Sequence, residues 1–421
     1  MSQIDQLWGA PPAAQTDPGS RYEEVASGFR PVLAAITDAF GRREREHSLP
    51  LEQIAALKQS GFTATRLPVS EGGKGLSFPE FLNLIIELAE ADSNIAQALR
   101  VHFGFVEDVL NQRDPARRAL WAPRLAAGDL VGVGFTEIGE AKTDRFSTRL
   151  SQTADGLRLT GRKFYTTGTL YADWIDVSAS DDQGETVFAF VPRTAPGVTV
   201  LDDWDGFGQR LSASGTSIYE TVEVAPENLW QGAERLRYST AYYQLYHLAT
   251  LVGIGRALVR DTVAELGLRR RTFSHANAAL PRHDAQVLAV LGKLRAQVYA
   301  AQAITLKAAE AVGRAFATRF AGDEAAEDAA NIVAELESAQ AQSVVIDLIL
   351  AATTSLFDAL SASATRSGLG LDRHWRNART LASHNPRIYK DRIIGDWAVN
   401  GTTPPPQWIA AIHPDAKPAV A

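Results

Sequence analysis

Between residues 22 and 130, apolar side chains return every three or four positions, the spacing of one helical face. Ser77, Phe78, Pro79 and Glu80 have the order of a capping box, and Phe81, Leu84, Ile85, Leu88 and Ala89 follow at helical intervals. Gly72, Gly73, Lys74 and Gly75 just upstream predict a loop. From residue 131 to about 229 the period changes. Leu157 to Thr160 alternate after an Asp155-Gly156 turn signal, residues 187–191 and 198–201 are short apolar runs, and 219–224 alternate again. This predicts a small antiparallel barrel or sandwich. Beyond residue 233 the helical period returns in three long stretches, 238–271, 283–320 and 324–360. Val287, Leu291, Leu294 and Val298 mark a stripe on the second. Each spans about 45 Å or more, and helices of that length pack side by side as a bundle. Their broad, alanine-rich faces predict burial against other subunits.

The expected class is therefore α+β: an N-terminal helical domain (22–130), a central antiparallel β domain (131–232) and a C-terminal four-helix bundle (233–400). Flexible tails are expected at 1–21 and 401–421. The first tail is polar and proline-bearing, without the apolar core of a signal peptide, and no run of 18 apolar residues is present. A cytoplasmic protein without a membrane span is expected.

Composition removes several chemistries. The 421 residues carry a net charge of -7 without a basic run, which argues against nucleic acid. There is no cysteine, so thiolate metal sites and cysteine nucleophiles are out. The eight histidines are scattered and form no His-Glu-x-x-His, so no metal site is expected. No Gly-x-Gly-x-x-Gly follows a strand and no Gly-x-Ser-x-Gly elbow occurs.

The order of blocks and several local segments resemble the acyl-CoA dehydrogenase superfamily over about residues 22–401. Residues 67–77, with the glycine loop, resemble the segment before that family's third helix. Phe135-Thr136-Glu137 resembles its flavin-contacting "LTEP". Residues 159–168 followed by Ala172-Asp173-Trp174 resemble "LNGxKxxITNGxxADW", which lies along the flavin ring. Arg271-Thr272-Phe273 sits where the family places a cofactor arginine that reaches across a subunit boundary. Two further segments resemble the flavin-dependent monooxygenase branch, with its dibenzothiophene monooxygenases and sulfur-acquisition oxidoreductases. They are residues 371–386, which include His384-Asn385-Pro386, and Gly208 to Gly215, similar to "GQRxTxSG".

The resemblance carries functional expectations. A dehydrogenase needs a carboxylate base, placed in common members nine residues after an arginine equivalent to Arg376; here that place holds Asn385. In the monooxygenase branch, reduced flavin and O₂ give a C4a-hydroperoxide, which a histidine can hydrogen-bond. His384 falls at the branch's catalytic histidine and His102 near a second one; a satisfied, half-buried histidine is the plain alternative for His102. Thr167 is expected to support flavin N5. Phe135, Thr136 and Tyr165 are expected at the ring, and Arg271, Phe273, Ser361 and Ser363 around the phosphate. Phe103, Phe105, Leu381 and Asn385 are expected to line the substrate pocket. The family's adenine-packing "GGxG" reads Ser361-Ala362-Ser363-Ala364 here, so glycines are replaced by hydroxyls, favouring FMN over FAD. Arg373 and Arg376 are expected in ion pairs.

The reading is a homotetrameric, two-component FMN monooxygenase. It takes O₂, a small, mostly apolar substrate such as an organosulfur compound, and reduced FMN from a separate flavin reductase. Two enzymatic alternatives stay open: an FAD-dependent acyl-CoA dehydrogenase with a displaced base, Asp347 or Asp358, and a hydroxylase of aromatic or amine natural-product intermediates. A flavin-binding member without catalysis is the third.

Overall fold

The computed structural model describes residues 21–138, 146–231 and 235–405. The tail residues 1–20 and 406–421 lie outside them. The first block holds α1 (Arg21–Glu46), α2 (Leu51–Gln59), α3 (Phe78–Ala91), α4 (Ser93–Leu110) and α5 (Pro115–Ala126). The expected capping box opens α3: Ser77 Oγ accepts from Glu80 N, and Glu80 Oε2 accepts from Ser77 N at 2.7 Å. Asp92 caps α4 through Asn94 N at 2.9 Å and pairs with buried Arg43 at 2.8 Å. Every residue of α4 is buried, so this helix is the centre of the molecule.

The middle block is one eight-stranded sheet: β1 (Val131–Gly134), β2 (Arg149–Thr153), β3 (Gly156–Lys163), β4 (Trp174–Ser180), β5 (Thr186–Pro192), β6 (Val198–Val200), β7 (Ser217–Val224) and β8 (Leu229–Gln231). The strand order is β6-β7-β3-β2-β4-β5-β8, with β1 on β4. The sheet is mixed and not purely antiparallel. β1 runs parallel to β4 (Val131↔Trp174), and β2 meets β4 in parallel at Arg149↔Ser180. β1 and β2 thus follow one another along the same edge of β4.

The last block contains α6 (Ser239–Leu268), α7 (Ala285–Thr318), α8 (Glu324–Leu360), α9 (Asp372–Ala382) and α10 (Lys390–Asn400). α6, α7 and α8 pack together as the bundle; α9 closes on α6 and α8, and α10 on α8. α8 is long and apolar enough to cross a membrane by length and composition, but here it packs within this bundle. On the predicted α7 stripe, Leu294 and Val298 are buried while Val287 and Leu291 are only half-buried.

The two helical blocks are not separately packed. α3 lies against α6 and α7, and one apolar core runs from Tyr22 through Phe103 and Leu251 to Leu381. The sheet keeps a second, smaller core around Leu159, Val177 and Val222. Arg373 pairs with Asp261, and Arg376 with Glu44 and Asp372.

Candidate active site

The site is assembled where the sheet meets α4. After β3 the chain turns sharply through residues 164–168. Tyr165 has φ 57° and Gly168 φ 79°. A Cβ on Gly168 would stand 2.1 Å from the Ala98 carbonyl oxygen, so only glycine lets this turn seat on α4. The turn is fastened to the loop 208–215 by Gly168 N to Ser212 O (3.0 Å) and Thr166 N to Gly215 O (3.1 Å). That loop is wedged in turn. Gln209 N donates to Asn377 Oδ1 of α9 at 2.7 Å, and Leu211 N to Asn94 Oδ1 of α4 at 3.1 Å.

A chain of hydroxyls then orients Thr167. Ser212 Oγ donates its only proton to Gln209 O at 2.7 Å. Ser214, 2.8 Å away, must therefore donate to Ser212, and Thr167, 2.9 Å from Ser214, must donate to Ser214. The buried Thr167 oxygen is left with its lone pairs as an acceptor. This suits a ring N–H donor such as N5–H of a reduced flavin.

Beside the turn, Phe135 and Tyr165 keep 45% and 50% of their surface exposed, unusual for aromatics near a core and fitted to a flat ring ligand. The segment under them is pinned. Buried Lys163 donates to Phe135 O (3.2 Å) and Glu137 Oε1 (2.8 Å), and Phe164 N donates to Thr136 O (2.9 Å). Burial would raise the Glu137 pKa, but Lys163, Ser147 and Thr148 outweigh it and hold the carboxyl down to about 2. Burial pushes Lys163 down to about 8 against the pull of Glu137.

The second wall follows α9. His384 N bonds Leu381 O, and the His384 ring lies 4.4 Å from the ring of His247 on α6. Arg100 Nη2 of α4 stands 3.3 Å from His384 Nε2 and its guanidinium lies 5.0 Å over the Tyr243 ring. Crowding by protein and the Arg100 charge push His384 down to about 3. Its accessible surface is nonetheless that of an exposed residue, so the cluster reaches solvent at this position. There the adjacent guanidinium is enough to set the direction of the shift. His247 is pushed further below its ordinary value by burial, then by His384 and Arg100. Both imidazoles are neutral at physiological pH. Thr167's turn and His384 both seat on α4, at Ala98 and Arg100, two residues that stand about 200° apart around the helix.

Other expected site residues lie elsewhere. His102 is two positions from Arg100, about 200° around the helix. Its ring is fully used: Nδ1 accepts from Val131 N (3.3 Å), and Nε2 donates to Thr63 O (2.9 Å). With burial lowering its pKa to about 4, it is a neutral joint between α4 and β1, apart from His384. Phe103 packs among Phe62, Phe81 and Tyr246, and Phe105 among Trp121, Phe190 and Trp230. Both are core and not pocket lining, because α4 is enclosed on every side. Leu381 is also core, whereas Asn385 hydrogen-bonds the His384 ring. Sequence reasoning missed Arg100 and His247. A signal existed for Arg100: it stands on an apolar helix with Ala96, Gln97, Phe103 and Gly104 at the i±3 and i±4 places, so no carboxylate is within helical reach. For His247, a lone histidine in an aromatic helix, the sequence offered little.

Arg271 and Ser363 do come together. With Arg269, Arg270, Arg366 and Glu265 they line a groove of about 550 Å³ at the C-terminal end of α6. None of these four arginines has a carboxylate partner among the described residues, and a phosphate fits that donor set. Phe273 is 63% exposed nearby in sequence, beside His275. Ser361 ends α8 at φ 62° and is not in the groove lining. A second groove, about 700 Å³ around Arg113, Arg237 and Arg319, is neutralised by Glu327 and offers no comparable site.

The acyl-CoA dehydrogenase N-terminal domain model matches residues 28–129 and the C-terminal domain model residues 245–386. The chain belongs to the acyl-CoA dehydrogenase family. Within it, the similarity runs to flavin-dependent monooxygenases. The probable FMNH2-dependent monooxygenase SfnC of Pseudomonas putida is 25% identical over 90% of this chain and 97% of its own. A dibenzothiophene monooxygenase of Rhodococcus erythropolis is 23% identical over 94% and 96%. The crystal structure of FMN-bound TdsC from Paenibacillus sp. A11-2 superposes with a TM-score of 0.83 at 26% identity, covering 92% of this chain and 99% of that one.

Proposed function

We propose that this chain is the oxygenase component of a two-component FMN-dependent monooxygenase acting on a small organosulfur compound. The observation that carries the reading is the cluster of Arg100, His247 and His384, where a dehydrogenase would need a carboxylate. Asn385 occupies that place. Of the two substitute acids, Asp347 is exposed and paired with Arg387 at 2.5 Å, and Asp358 is exposed. No carboxylate contacts His384 among the described residues.

Bound reduced FMN supplies two electrons to O₂, so that one oxygen atom enters the substrate and the other leaves as water. The chain's own groups do the rest. Phe135 and Tyr165 would flank the ring, the Thr167 oxygen would accept a hydrogen bond from a ring N–H, and the Lys163–Glu137 pair pins the segment beneath them. His384, neutral and tethered to Arg100 and Asn385, would give the reacting oxygen a polar neighbour. The donor chemistry of the Arg271 groove suits the cofactor phosphate. Along α6, His247 and Leu268 are 21 residues apart, about 32 Å, so the arginine groove lies far from the His247–His384 wall. That separation favours a reading in which the arginines serve a neighbouring copy's flavin. This supports a homo-oligomer, and a homotetramer is the reading proposed. The enzyme is taken as cytoplasmic, with a separate reductase.

Arg271→Ala is expected to weaken FMN binding about 10- to 100-fold, the loss of one charge-assisted phosphate contact, and to flatten its dependence on salt. Titration of the wild type and variant at two ionic strengths reads both effects. The reading as a whole is tested by supplying reductase-generated FMNH₂ under ¹⁸O₂ to a panel of organic sulfides, sulfoxides and sulfinates. One labelled oxygen per product molecule supports it. No labelled product, with protein-bound flavin bleached anaerobically by an acyl-CoA, makes the chain a dehydrogenase.

A further inference from the structure

Arg100 has no ionic partner among the described residues. Its side chain is 93% buried by surface, since 7% remains exposed, yet no carboxylate pairs with it there, and its hydrogen-bond partner is His384 Nε2. Its Nε is buried with no partner at all. On the adjacent helix, His247 is equally enclosed and its Nε2 also lacks a partner. The remaining neighbours are the Tyr243 ring face, the His384 ring and Gly104, where a side chain would strike Tyr243.

An unpaired buried charge is expensive, and a π-face offsets only part of the cost. The other buried arginines among the described residues each have an acid, Arg43 with Asp92 and Arg66 with Glu107, and half-buried Arg235 has Asp108 and Asp176. Arg100 alone among these stands without one, and it stands beside His384, which is exposed. The cluster contributes a fixed positive charge and two orphaned nitrogens, but no negative group.

We infer that Arg100 and His247 form the subsite for an anionic head group on the substrate, a small organic oxyanion such as a sulfinate or carboxylate, whose apolar body extends past the exposed His384. The inference rests on the oxygenase reading only for the chemistry after binding. Two oxygens of such a head group match the guanidinium fork, which gains its missing counter-charge on occupancy. Arg100 is then a specificity residue: it selects anions over neutral molecules of the same shape.

The test is calorimetric titration of the oligomeric protein loaded with oxidised FMN, using benzenesulfinate, benzoate and neutral methyl phenyl sulfoxide. At least one anion is expected to bind about 10- to 100-fold tighter than the sulfoxide. Arg100→Gln should bring the anions down to the sulfoxide's affinity while the sulfoxide moves less than twofold, and Arg100→Lys should retain part of the preference. Preference for benzenesulfinate over benzoate assigns a sulfur head group; the reverse assigns a carboxylate. Equal binding of anions and sulfoxide by the wild type overturns the proposal, as does an undiminished anion preference in Arg100→Gln. If that variant does not fold, the wild-type comparison and Arg100→Lys still decide. No turnover is involved, so an anion-selective protein that fails to oxygenate would sink the oxygenase reading alone.

Discussion

Replacing His384 with alanine is expected to lower the yield of oxygenated product about 100-fold, while oxygen consumption continues and hydrogen peroxide accumulates in the product's place. The magnitude is the lower end of what a positioned acid–base or hydrogen-bonding side chain contributes. The direction comes from the contacts. His384 is the hydrogen-bond partner of Arg100 and lies exposed just beyond the end of α9. Without it the guanidinium is free to turn and the reacting oxygen loses its neighbour, so reduced flavin spends its electrons on peroxide. Product and peroxide measured together separate this uncoupling from mere loss of flavin binding. The pH profile adds a sign. The working imidazole is neutral, because crowding by protein and the Arg100 charge push its pKa down to about 3. Falling pH between 8 and 5.5 therefore does not titrate His384 in the wild type. Removing the Arg100 charge lets that pKa climb toward the ordinary value near 6.5, so an acid limb should appear in Arg100→Gln.

Gly168→Ala is expected to cost about 3 kcal/mol or more of stability and to abolish the alignment of Thr167. Two costs add. A non-glycine residue at φ 79° is strained by about 1–3 kcal/mol. The new Cβ also meets Ala98 O at 2.1 Å and Ala98 C at 3.1 Å, backbone atoms of a fully buried helix that cannot step aside. The turn must lift off α4, carrying Thr167 away from Ser214. Urea unfolding reads the first effect, and FMN affinity the second. Gly28→Ala is the matched control: its Cβ meets nothing within 4 Å on an exposed face of α1, and helix propensity makes it neutral or stabilising by up to about 1 kcal/mol.

Much of this architecture is written locally. The Ser77 capping box sets the start of α3, and the three long periodic stretches became α6, α7 and α8 with ends shifted by a few residues at most. The parallel seating of β1 on β4 was not legible, because it pairs residues 43 apart that carry no mutual signal in the chain. The site divides along the same line. Thr167, Phe135, Thr136 and Tyr165 lie in one neighbourhood whose turn chemistry is local, and Arg271 and Ser363 meet as their motif positions implied. α4 misled. Periodicity reports a face only when one side is solvated, and α4 has none, so His102, Phe103 and Phe105 could not be told from Arg100 by pattern. What distinguishes Arg100 is a missing partner, a property that the folded surroundings make visible. His247 acquires its place from a residue 137 positions later in the chain.

The oxygenase account is tested most directly by rapid mixing of the protein, loaded with reduced FMN under anaerobic conditions, with dissolved O₂ while flavin absorbance is followed. The account predicts a transient, spectrally distinct from both reduced and oxidised FMN, that outlasts the reoxidation of free FMNH₂ and is shortened in His384→Ala and Thr167→Val. Single-step reoxidation at the rate of free flavin, unchanged by either substitution, would contradict it.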